Sequence, residues 1–94
     1  MSARVVITPR VRDFVRTLPP EPKAQLRAAL RDLAAGRGDI KPLEGALEGI
    51  YRLRVGRYRV AYRVVGGQLR CFFAAPRPVV YEFLAAHLRE LINE

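Results

Sequence analysis

Four arginines and one tyrosine carry most of the chemistry this sequence offers. Arg52, Arg54 and Arg59 lie within residues 51–65, and Arg77 and Tyr81 follow downstream. A guanidinium is planar, always charged and matched to phosphate oxygens two at a time. A phenol can give or take a proton. Gathered around one ribose–phosphate link, such groups support RNA cleavage without a metal. The 2′-hydroxyl attacks the adjacent phosphorus, and preorganised guanidiniums stabilise the charge that builds on the phosphorane oxygens. The phenol, more easily ionised beside cations, moves a proton. The same residues could also form a basic sheet face that only binds nucleic acid or an anionic protein. From residue types alone both readings stand.

Other chemistries lack their residues. His87 is the single histidine and reads as a structural residue of the last helix. Cys71 is the single cysteine and lies in an apolar run, so it is expected to be a core thiol. One cysteine allows neither an internal disulfide nor a cysteine-based metal site. No His, Cys or carboxylate spacing fits a metal, and the glycines form no phosphate-cradling motif, so no cofactor is expected. Glu44 and Glu48 stand four apart but in a glycine-flanked loop, where solvated side chains are expected.

The charge is placed rather than spread. The 94 residues carry 17 basic and 9 acidic side chains, a net charge of +8. Between positions 49 and 81 there is no Asp or Glu, but there are seven arginines. The rest of the chain is almost balanced. A cationic region of this kind is the footprint of a polyanion partner. Only two of the basic residues are lysines, a ratio that GC-rich codon usage also produces; codon usage does not explain the placement. The start lacks the pattern of a signal peptide and no apolar run reaches membrane-spanning length, so a soluble cytoplasmic protein is expected.

The elements must bring these side chains together. Residues 51–65 alternate: Tyr51, Leu53, Val55, then Tyr58, Val60, Tyr62 and Val64 form one set, and the arginines stand between them. A period of two means strands with one buried face, here including Tyr51, Tyr58 and Tyr62, and one exposed face bearing guanidiniums. Residues 3–8 read as a first strand. Thr8-Pro9 caps a helix with an apolar stripe of Val11, Phe14, Val15 and Leu18, which Pro19-Pro20 ends. A second helix over 22–35 buries Leu26, Ala29, Leu30 and Leu33. Residues 37–46 are expected to be a loop, then strands at 49–55, 57–65 and 68–75 form an antiparallel meander turning at Gly56 and at Gly66-Gly67. A helix over 79–92 follows. The fold class is α+β, in the order βααβββα: an N-terminal helical hairpin on an antiparallel sheet, with a C-terminal helix, in one domain spanning 1–94.

The segment Leu43-Glu44-Gly45 and the run from Gly49-Ile50-Tyr51-Arg52-Leu53-Arg54 through Gly56-Arg57-Tyr58-Arg59 to Tyr62, with the late pair Arg77 and Tyr81, resemble the RelE/ParE superfamily of bacterial toxin–antitoxin toxins. The resemblance covers nearly the whole chain. For RelE-like members it implies an endoribonuclease that cuts mRNA on the ribosome without a metal. Arg52, Arg54, Arg59 and Arg77 then correspond to the residues that bind mRNA and stabilise the transition state, and Tyr81 to the catalytic tyrosine. The RNA-contacting surface would extend to Arg57 and Arg63. Arg52 and Arg54 stand where some members have lysine, which favours phosphate binding over proton transfer there. Arg77 sits in Ala75-Pro76-Arg77-Pro78 rather than after Gly or His. The resemblance also implies an acidic RelB-like antitoxin that wraps the basic face. ParE-like members share the fold but act on DNA gyrase. That alternative, and a non-catalytic homologue that only binds its antitoxin, remain open on the sequence.

Overall fold

A computed structural model describes residues 3–93. Its elements run β1 (Arg4–Ile7), α1 (Pro9–Arg16), α2 (Pro20–Ala34), β2 (Asp39–Pro42), a 3₁₀ turn (Gly45–Leu47), β3 (Tyr51–Val55), β4 (Tyr58–Val65), β5 (Gln68–Pro76) and α3 (Arg77–Ile92). Five strands form one sheet in the order β1-β5-β4-β3-β2. The expected α+β architecture and the β3–β4–β5 meander are present. Two strands extend it. β1 joins the far edge parallel to β5, and β2 lies antiparallel to β3 inside the segment expected to be a loop.

Local chemistry explains the boundaries. Thr8 accepts a hydrogen bond from Val11 N at 3.4 Å, and Pro9 stands at the first helical position, where its missing N–H costs nothing. Gly66 and Gly67 both have positive φ, 56° and 77°, as a two-residue hairpin turn that follows the strand twist requires. Gly38, just before β2, has φ 139°, a conformation that residues with a Cβ rarely adopt, and a Cβ there would also press on Leu53 Cδ1 at 2.8 Å.

Helices cover both faces. On one side Val11, Val15, Leu26 and Leu33 of α1 and α2 pack on Leu53, Val55, Val60, Tyr62, Cys71 and Ala74. On the other, Val80, Leu84 and Leu91 of α3 pack on Ala61, Phe72, Phe73 and Ala75. The face expected to be wholly exposed is therefore half covered. A bulge opposite Ala61/Tyr62 makes this possible: Tyr62 pairs with Cys71 and Ala61 with Phe73, leaving Phe72 as the extra residue. Phe72 and Phe73 both turn toward α3, while Cys71 stays in the core under α1 and α2. No helix within residues 3–93 is long and apolar enough to cross a membrane.

Candidate active site

Strand register assembles the arginines. Residues opposite one another in an antiparallel pair share a face. Asp39 is opposite Arg54, which is also opposite Arg59, and Lys41 is opposite Arg52. All five side chains leave the sheet on the α3 side, beyond the helix's N-terminal end. β5 runs directly into α3, and Arg77 N donates to Arg57 O at 2.9 Å, tying the start of the helix to the β3–β4 turn. Arg77 and Tyr81 are one helical turn apart and so lie along one flank of α3. No acidic residue occupies the first turn of that helix, leaving the positive end of its dipole uncompensated. The result is an open groove of about 880 Å³ lined by Lys41, Leu43, Arg52, Arg54, Gly56, Arg57, Arg59, Arg77, Pro78 and Tyr81.

The lining arginines differ in freedom. Arg59 is only 6% exposed, and its Nη1 donates to Gly56 O at 2.8 Å and Tyr58 O at 2.9 Å. It thus braces the turn while facing the groove. Arg52 Nη1 donates to the backbone oxygen of Asp39 at 2.9 Å and to its Oδ1 at 3.0 Å. Arg54 is exposed, with Nη1 3.9 Å from Asp39 Oδ2. Arg57 is exposed and lies 5.6 Å from the centre of the Tyr58 ring. Arg77 is exposed, and Tyr81 is half-buried against the apolar cluster under α3.

Arg63 is placed differently from the expectation. It shares the α3 face but stands four residues along β4 from Arg59, about 13 Å in an extended strand. α3 lies between, and Arg63 Nη2 donates to Ile92 O at 3.2 Å, satisfying a carbonyl at the helix's C-terminal end. Arg63 is a helix-capping residue outside the groove.

Sequence reading missed Lys41 and Asp39. Asp39-Ile40-Lys41 alternates polar, apolar, polar between Gly38 and Pro42. That is a strand signal, but too short to stand out from a loop. Among the described residues no three His, Cys, Asp or Glu side chains lie close enough to hold a metal ion. Cys71 is buried, as expected, and burial pushes its thiol pKa up to about 12. Burial, then the neighbouring Cys71 and Tyr51, raises Tyr62 as well. Both lie in the core under α1 and α2, on the other face from the groove.

No protein-family model matches the sequence, and no curated protein does. Solved structures do. A chain of the RelBE2 toxin–antitoxin complex from Mycobacterium tuberculosis matches with a TM-score of 0.72 and 26% identity, over 82% of this chain and 100% of that one. A chain of the RelE–RelB complex from Pyrococcus horikoshii matches at 0.64 and 28%, over 82% and 97%. A chain of the RelB–RelE complex from Methanococcus jannaschii, at 0.65 and 20%, shares the fold over 83% and 96%.

Proposed function

This chain belongs to the RelE-like toxin superfamily, and we propose that it is the toxin of a type II toxin–antitoxin module, an endoribonuclease that cuts mRNA on the ribosome. One observation carries the reading: a single groove is lined by Arg52, Arg54, Arg59, Arg77 and Tyr81, which come from three elements. Three of these arginines come from adjoining strands and one from a helix start, so they can surround a phosphate rather than meet it from one side.

The chemistry follows from the lining. The 2′-oxygen attacks phosphorus, and the guanidiniums stabilise the charge on the non-bridging oxygens. Arginine stays charged and so is a poor general acid or base. Lys41 and Tyr81 are the lining groups that can give or take a proton, so the two proton transfers fall to them. One takes the 2′-hydroxyl proton; the other delivers a proton to the 5′-oxygen as the P–O5′ bond breaks. The products are a 2′,3′-cyclic phosphate and a 5′-hydroxyl. Tyr81 is the one aromatic residue in the lining, which leaves little surface for stacking bases. Orientation of the message is therefore assigned to the ribosome. The relatives' complexes with RelB support an antitoxin partner here too. An acidic, partly disordered chain would associate quickly with this cationic face.

Mapping mRNA 5′ ends after a pulse of expression tests the reading. Wild type is expected to produce new ends within translated regions, and Arg77→Ala or Tyr81→Phe to reduce them by about 10²-fold or more. Intact mRNA with altered DNA supercoiling would instead establish a gyrase-directed toxin. Intact mRNA and DNA with harmless expression would leave a homologue that only binds its antitoxin.

A further inference from the structure

The carboxylate of Asp39 stands beside the guanidiniums of the groove, and the reaction above does not use it. Of the β2, β3 and β4 residues directed to this end of the face, Asp39, Lys41, Arg52, Arg54 and Arg59, it is the one acid. It treats its two arginines unequally. Arg52 Nη1 is held by two Asp39 oxygens, at 2.9 and 3.0 Å, and the Arg52 side chain is 16% exposed. Arg54 Nη1 is 3.9 Å from the other carboxylate oxygen, and its side chain is 57% exposed. Both Asp39 contacts to Arg52 fall on one nitrogen, so the rest of that guanidinium can face the groove in a fixed plane. A phosphate arriving at Arg54 meets a carboxylate already drawn toward the same cation.

We propose that Asp39 is a positioning residue with two separable effects. Its oxygens aim Arg52, and its charge competes with phosphate for Arg54 and so limits the grip on polyanions. Release of product benefits, since a groove with every guanidinium free would hold a cut strand longer. The positioning effect rests on the groove being the cleavage site; the charge effect requires only that it bind polyanions.

The test compares Asp39→Asn, which keeps a side-chain oxygen acceptor but loses the charge, with Asp39→Ala, which loses both and leaves Arg52 Nη1 only the backbone oxygen of residue 39. Binding is read with a short thymidylate oligonucleotide, which lacks the 2′-hydroxyl and cannot be cut, across a salt series. Both variants are expected to bind about threefold to tenfold tighter at low salt, with the gain shrinking as salt rises. In ribosome-programmed cleavage, Asp39→Ala is expected to lose about tenfold in kcat without a rise in KM, and Asp39→Asn to lose less. Wild-type affinity in both variants at low salt overturns the charge effect. An unchanged kcat in Asp39→Ala overturns the positioning effect. If wild type cuts no RNA, the cleavage reading fails, and the thymidylate series still decides whether Asp39 competes for phosphate.

Discussion

On the hairpin side of the sheet, Leu53, Val55, Val60 and Tyr62 meet α1 and α2 and are sealed from water. On the α3 side, residues of the other parity, Arg52, Arg54 and Arg59, face an open groove. The two regions share β3 and β4 and differ only in side-chain parity. One surrenders water for packing; the other keeps cations side by side with one carboxylate among them. The difference teaches how so small a chain can tolerate a cluster of like charges. Burial on the opposite face, and under α3 at the far end of the same face, supplies the stability that the groove does not.

That division can be broken from either side. The largest effect is expected from Leu53→Ala, which empties a fully buried position under α2. Denaturant unfolding should show a loss of about 2–5 kcal/mol. Arg59 lines the groove and is nevertheless buried, so Arg59→Met should both destabilise and weaken RNA binding. Leaving the Gly56 and Tyr58 carbonyls without their donor should cost about 1–3 kcal/mol in the same unfolding experiment.

Alkaline pH offers a third break, confined to the sealed side. The Cys71 thiol has an ordinary value of 9.0 and is pushed up to about 12 in the fold. Between those values the unfolded chain loses this proton and the folded chain keeps it, so the native state binds more protons. Stability must then fall as pH rises, by up to about 1.4 kcal/mol per pH unit from this group. Tyr62, also raised, adds to the fall at the upper end. Unfolding followed against pH should show a shallower alkaline decline in Cys71→Ala. The smallest effect on stability is expected from Arg54→Ala, within about 0.5 kcal/mol, because that side chain is largely in solvent. Its salt dependence of RNA binding should nevertheless fall in slope by about 0.7, one phosphate contact on a single strand.

Much of this organisation is legible in the chain itself, for reasons particular to each element. The alternation over 51–65 could have only one packed parity, because moving one residue along a strand exchanges the faces. Thr8-Pro9, Pro19-Pro20 and Gly66-Gly67 punctuate the chain through backbone chemistry that acts locally. β2 was not legible, because a strand of four residues gains its pairing energy from β3, not from its own pattern. Asp39 and Lys41 went unread with it. Arg63 lies outside the groove because parity gives a side chain's face but not its place along that face, and α3 crosses between it and Arg59.

By itself, then, the sequence determined the order of the helices and of every strand but β2, the apolar parity of β3 and β4, and the concentration of positive charge between positions 49 and 81. These are local or compositional properties, set by neighbours along the chain. The tertiary structure decided that β1 lies parallel to β5, that β2 brings a carboxylate and a lysine to the arginines, and that α3 divides their face into groove and core. Those outcomes depend on contacts between residues far apart in the chain. Their free energy exists only once the sheet has formed, so no local pattern records them.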